Sequence, residues 1–249
     1  MVNTNKYNME TIKLLSTLTC GDTAGIISRF LGDGLTGIEL GKSGFYELCK
    51  DATTGLDKIM SGAAECGYID IVSLMLEKGA NNYNWAMESA SRSGHIDIVR
   101  LMIESGADDY YESMESAVEY GHIDIVSLMI ENGADDYNYA MQSAARNGYI
   151  DIVRLLIEKG ADDYYEVMEC AAECGYIDIV RLMIEKGADN YNVSMEYAAE
   201  YGHIKIVRLM LEKGADNYSR SMRIAVFHGH MDIINLMMEW GAVVVDIWA

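Results

Sequence analysis

An all-α solenoid of stacked helix-turn-helix repeats is the fold class that this 249-residue sequence predicts, and three observations carry it. The first is self-similarity. A Gly-His or Gly-Tyr dipeptide begins at Gly67, Gly94, Gly121, Gly148, Gly175, Gly202 and Gly229, always 27 residues apart. The second is that apolar columns keep the same step: Met60, Met87, Met114, Met141, Met168, Met195 and Met222, and Ala63, Ala90, Ala117, Ala144, Ala171, Ala198 and Ala225. The third is that each period holds two apolar patterns of helical spacing divided by a glycine.

One unit, Ala140 to Ala161, shows how each element is read. Residues 140–147 predict a short first helix with Met141, Ala144 and Ala145 on one side, and Gly148 stops it where a left-handed cap is wanted. Residues 149–160 predict the second helix. Asp151 suits its first turn and Lys159 its last turn, given the helix dipole. Asp151 and Arg154 stand three apart, the spacing of a surface ion pair, and Gly160 closes the helix. Ile150, Ile152, Val153, Leu155, Leu156 and Ile157 make it apolar almost all round, which predicts a helix sandwiched between neighbouring copies. A first helix of about eight residues is marginal alone, so stability has to come from stacking. The small alanines let neighbouring helices approach closely.

The segment AARNGYIDIVRLLIEKGAD (residues 144–162) resembles the core of the ankyrin repeat, a helix ending Ala-Ala-x-x-Gly-His followed by Leu-x-Ile-Val-x-Leu-Leu-x-x-Gly-Ala-Asp. The signature recurs seven times between about residues 56 and 242. The period departs from the family's usual ~33 residues. The shortening falls in the linker: Gly160 and Gly175 are 15 residues apart, and Ala, Ser or Val stands where the family has proline. The resemblance therefore implies ankyrin-type repeats with short loops instead of full β-hairpins. Shortened, proline-free units of this kind are similar to the ankyrin arrays of giant DNA viruses of the mimivirus type. Residues 1–55 leave the register and predict an N-terminal helical cap with degenerate repeats, with helices over 8–32 and 44–52. Residues 56–242 hold the seven repeats, and 243–249 (VVVDIWA) form an apolar tail that either folds onto the last repeat or self-associates.

Composition narrows the function. Nineteen basic residues against 39 acidic ones leave a net charge of −20, which disfavours nucleic acid and membrane surfaces as partners. A protein partner with a basic surface fits better, although acidity also keeps a repeat protein soluble. Five cysteines, no secretory pattern at the N-terminus and no apolar run of membrane-span length predict reduced thiols in the cytoplasm, the host cytoplasm for a viral protein.

No cofactor, catalytic residue or metal site is expected. His95, His122, His203 and His230 share one column with Tyr68, Tyr149 and Tyr176, so that column reads as structural. Cys170 and Cys174 lie four apart on one helix, with no further ligands evident for a metal. Tyr83, Tyr110, Tyr137, Tyr164, Tyr191 and Tyr218 read as a linker column that packs loop on loop, with a partner-facing stripe as the alternative. Recognition is expected where the repeats vary: the residue opening the first helix and the two before its closing glycine. The resemblance places these on the concave face of an ankyrin array. The candidates are Trp85, Arg92, Glu119, Tyr120, Tyr139, Arg146, Glu173 and Tyr201, since aromatics and arginines are the usual anchors. The competing reading of Arg92, Glu119, Arg146 and Glu173 is a solvated ladder of alternating charge. The expected function is a non-enzymatic protein-interaction scaffold. The alternatives are a self-assembling, virion-type component using its C-terminal tail, or an adaptor to a ubiquitin ligase of the kind known among viral ankyrin proteins.

Overall fold

The computed structural model describes residues 55–242 together with residues 46, 49, 50 and 53. The expected helices over 8–32 and the tail 243–249 lie outside the described residues. Of the expected helix over 44–52, Tyr46, Cys49 and Lys50 are described and are helical. The chain divides into two compact units, Met1–Asp135 and Asp136–Ala249.

Among the described residues the first unit holds three helix pairs: α1 (Leu56–Glu65) with α2 (Ile69–Glu77), α3 (Tyr83–Ser93) with α4 (Ile96–Ser105), and α5 (Tyr110–Glu119) with α6 (Ile123–Glu131). The second unit holds four: α7 (Tyr137–Asn147) with α8 (Ile150–Lys159), α9 (Tyr164–Cys174) with α10 (Ile177–Glu185), α11 (Tyr191–Glu200) with α12 (Ile204–Glu212), and α13 (Tyr218–His228) with α14 (Met231–Glu239). No strand occurs among the described residues, and four residues, 160–163, suffice to join α8 to α9. The fold is the expected all-α stack with short loops.

The helix ends are written locally. Gly148 adopts φ 80° after α7, and Gly160 adopts φ 110° after α8. Beyond the glycine the chain turns back in a Schellman arrangement: the Tyr149 N–H donates to the Ala144 carbonyl at 2.9 Å, and the Ala161 N–H to Leu156 at 3.0 Å. The first helices begin earlier than the sequence suggested. The tyrosine column does not lie in the linkers; it supplies the first residue of six first helices. Consequently Trp85 and Tyr139 are third, not first, in their helices, where their N–H groups reach the capping side chains of Asn82 (3.4 Å) and Asp136 (3.3 Å). The loop-packing role of the column survives at Tyr83, whose ring lies against Gly106, the cap of α4.

Within each unit, first helices pack side by side on first helices, α1 on α3 on α5, and α7 on α9 on α11 on α13. Their buried methionine and alanine columns make this possible, since Ala keeps the backbones close and the unbranched Met fills the gaps between them. Second helices pack chiefly on their own first helix and meet one another only sparsely. The second helix does lie between neighbouring copies, but its burial is uneven. In α8 only Ile152, Val153 and Leu156 are fully buried, while Ile150, Leu155 and Ile157 are half-buried along its flanks. Bulkier side chains hold the second helices further apart than the alanine-faced first helices. The predicted Asp151–Arg154 ion pair is likewise absent from the pairs formed among the described residues.

Two kinds of contact recur along the stack. In the loops, Asn138 accepts the N–H groups of Asp162 (2.9 Å) and Asp163 (3.3 Å) and donates to the Asp162 carboxylate at 3.2 Å. Asn192 does the same with Asp216 and Asn217, Asn84 with Asp108 and Asp109, and the carboxylate of Asp57 with the N–H groups of Asn81 and Asn82. At the other end of each first helix, the ring that follows the capping glycine lies on the glycine of the preceding repeat. His95 lies on Gly67, His122 on Gly94, Tyr176 on Gly148, His203 on Gly175, and His230 on Gly202.

Gly175 thus serves twice, through its φ of +86° and through the 2.6 Å that would separate an added Cβ from His203 Cε1. Gly187, at φ +102°, has nothing within 4 Å of that position. Gly187→Ala is expected to cost only the backbone term, about 1 kcal/mol. Gly175→Ala adds overpacking and should cost about 3 kcal/mol. Urea unfolding of the two variants checks the difference; equal midpoint shifts would refute the ring-on-glycine contact.

Candidate functional site

The variable positions fall on the exposed ends and flank of the first helices. Trp85, Tyr120, Tyr139 and Tyr201 are 40–54% exposed, large rings left in water on an otherwise well-packed helix layer. In the first unit Trp85 and Arg92 stand seven residues apart on α3, two turns along one face, and Glu119 and Tyr120 close α5. In the second unit Tyr139 and Arg146 repeat the seven-residue spacing on α7, and Glu173 and Tyr201 lie at the ends of α9 and α11.

The charged members divide between the two readings. Arg146 Nη1 reaches Glu173 Oε2 across the α7–α9 boundary at 3.5 Å, as a charge ladder requires. Tyr201 continues that row. The Glu173 carboxylate and then that of Glu200 push its phenol above its ordinary pKa, and Glu173 also accepts its hydrogen bond. Arg92 behaves differently: its Nη2 donates to Glu88 Oε1 of its own helix at 2.6 Å. The structure therefore brings Arg146, Glu173 and Tyr201 together in one row and keeps Arg92 within α3. Solvent-exposed pairs of this kind contribute little to stability.

What holds the row was not visible in the sequence. His203 Nε2–H donates to the Glu173 carbonyl at 2.9 Å, and His230 Nε2–H to that of Glu200 at 2.9 Å. In the first unit His122 reaches the carbonyl of Arg92 at 3.2 Å, and His95 that of Glu65 at 3.1 Å. The acceptor is a carbonyl, so the ring nitrogen must carry the proton. The histidine column is structural, as expected, and it acts on the backbone of the very position whose side chains vary. A second row lies on the N-terminal side: Gln142 donates to Asp163 at 2.8 Å, and Asn190 and Asn217 donate to Glu169 (2.7 Å) and Glu196 (2.6 Å). Arg220 Nε joins it at 3.0 Å from Glu196. The polar column Glu88, Glu115, Gln142, Glu169, Glu196 was the available signal.

Three of the thiols are held toward their protonated form. Burial pushes Cys49 up to about 12, against a weaker pull from Lys78, and burial raises Cys170 as well. Cys174 is raised by partial desolvation and by Glu173. A thiol pushed this way is a poor nucleophile and a poor metal ligand. Among the described residues no three His, Cys, Asp or Glu side chains gather as metal ligands, and no helix is long and apolar enough to cross a membrane.

A packed rank of helices that presents varied side chains on constant backbone positions defines a helical-repeat scaffold. The family model described as ankyrin repeats (3 copies) matches residues 114–195 and 167–247, together more than half of the sequence, and the chain belongs to the ankyrin-repeat family. Ankyrin repeats are in general protein-interaction modules, and the fold is typically a non-catalytic scaffold. Comparison with curated proteins finds no match.

Replacing the carboxylate beside Tyr201 tests the row. Glu173→Gln removes the nearest negative charge, so the Tyr201 phenol should ionise at lower pH than in the parent protein. Titration of the tyrosine Cζ resonances, with Tyr201→Phe to assign the signal, reads this directly; an unmoved resonance would place Tyr201 away from Glu173.

Proposed function

We propose that the chain captures a partner protein on the variable first-helix positions of its units, the side that is concave in an ankyrin array. The observation that carries this reading is the coincidence of variation and exposure. Two interior columns hold Met and Ala throughout, whereas Trp85, Glu119, Tyr120, Tyr139, Arg146 and Tyr201 vary at exposed positions, and Arg92 and Glu173 at half-buried ones. Tyr and Trp lose little entropy on binding and supply large contact areas. A partner with a basic surface is supported by carboxylate crowding in the first unit. There Glu112 is raised by slight desolvation and by Glu115, Asp109 and Glu88, a repulsion that a cation relieves. The 27-residue period supports kinship with the shortened arrays of giant DNA viruses, and the free thiols of Cys49, Cys170 and Cys174 support a reducing cytoplasm.

Tyr120→Ala combined with Tyr201→Ala is expected to weaken partner capture at least about tenfold, the effect of losing one hot-spot contact. Quantitative affinity capture from cytosol measures it, with helicity and melting unchanged as the control; undiminished capture would overturn the assignment.

A second reading, self-association at the C-terminal end, is favoured by the apolar surface of the last helix pair, where Phe227 is 86% exposed and Met231, Met238 and Trp240 are also exposed. Sedimentation should then detect oligomers that disappear when residues 243–249 are deleted. A parent chain that sediments as a monomer rules this reading out.

A further inference from the structure

The strongest departure from the repeat's own pattern lies on a face the candidate site does not use. Six of the seven second helices carry an aspartate in the first turn: Asp70, Asp97, Asp124, Asp151, Asp178 and Asp232. An acid there is favoured by the helix dipole. Only α12 places a cation, Lys205, at that position, where the dipole opposes it. Lys205 stands three residues before Arg208 and beside Arg181 of α10, and all three are exposed. None of them enters the ion pairs found among the described residues, although the chain as a whole carries a net charge of −20. Three cations outside the ion pairs found among the described residues therefore gather where the repeat would ordinarily alternate acid and base.

They also flank a groove. Between α10 and α12 the surface opens a cleft of about 260 Å³ floored by Ile177, Ile204 and Leu209, with Arg181, Lys205 and Arg208 around it and Glu212 at one end. The cleft is smaller than the ~300–1,000 Å³ of small-molecule sites, and it suits a single apolar side chain. Directly packed helices stand about 8–10 Å apart, and these second helices meet only sparsely, so Arg181 and Arg208, one repeat apart, present guanidinium groups about 10 Å apart or somewhat more. An extended peptide rises about 3.3 Å per residue, so residues three apart match the same interval.

We propose that the groove between α10 and α12 docks an acidic segment of a partner protein. Its carboxylates, spaced every third residue, engage Arg181, Lys205 and Arg208, and an apolar side chain between them seats on Ile177, Ile204 and Leu209. Guanidinium groups are matched to carboxylates in shape as well as charge, and the apolar floor selects a protein segment over a polyanion that offers charge alone.

The protein's own repeats supply the test variant. Lys205→Asp restores the first-turn acid of the six other second helices, and Arg208→Ser installs the residue found at the equivalent Ser73 and Ser127. The double variant is therefore expected to fold like the parent, which circular dichroism and melting verify. The probe is a fluorescein-labelled peptide of four Asp-Leu-Ser triplets, read by fluorescence anisotropy on the full chain. Saturable binding that falls at least about tenfold in the double variant, and also when the peptide's leucines become serines, supports the proposal. Equal binding by the double variant overturns it. So does tighter binding of a single-stranded oligonucleotide of the same charge, which would assign the cations to a nucleic-acid backbone. The Tyr120→Ala/Tyr201→Ala variant should bind the peptide unchanged; a loss there would instead place the peptide on the first-helix face.

Discussion

Every feature of this chain depends on one constraint: no helix pair can bury its own apolar face. Helices of nine to eleven residues are too short to persist alone in water. Each is stabilised by apolar surface that only a neighbouring copy can cover, so the 27-residue unit is meaningful only in series. Each fully buried methionine or isoleucine is worth about 1.5–3 kcal/mol, and each repeat contributes several. Alanine matters as much by being small, because it sets how closely first helix approaches first helix within a unit.

That constraint explains why polar contacts cluster at the ends of the helices. Stacking brings together groups 24 to 30 residues apart, and the loops and caps are where backbone N–H and carbonyl groups still need partners. Asn138 and Asn192 satisfy loop N–H groups on one side; His203 and His230 satisfy carbonyls on the other. The histidines tie scaffold to recognition. The carbonyl each one holds belongs to the position whose side chain varies, so side chains can change there while the backbone stays in place.

Acidity and structure also fit together. The first-helix side of the second unit absorbs charge in hydrogen-bonded rows, Arg146 with Glu173 and Arg220 with Glu196. On the second helices of that unit, Arg181, Lys205 and Arg208 have no such partners among the ion pairs formed. Two faces of the second unit thus differ in chemistry: one carries aromatic rings among paired charges, and the other a short apolar cleft flanked by Arg181, Lys205 and Arg208.

The repeat length, the all-α class, the glycine caps, the methionine and alanine columns and the structural character of the histidine column were legible in the residues alone, because each follows from local conformation or from a period that any apolar stack must keep. The sequence also marked Trp85, Tyr120, Tyr139 and Tyr201, whose rings are exposed. The three-dimensional packing settled the rest. It moved the tyrosines from the linkers into the first turn of the helices and left the flanks of second helices such as α8 half-buried. It also turned Arg92 back onto Glu88 while sending Arg146 across to Glu173. These outcomes depend on distances between neighbouring repeats, and those distances exist only once alanine-faced helices have closed against one another and the bulkier second helices have been held apart.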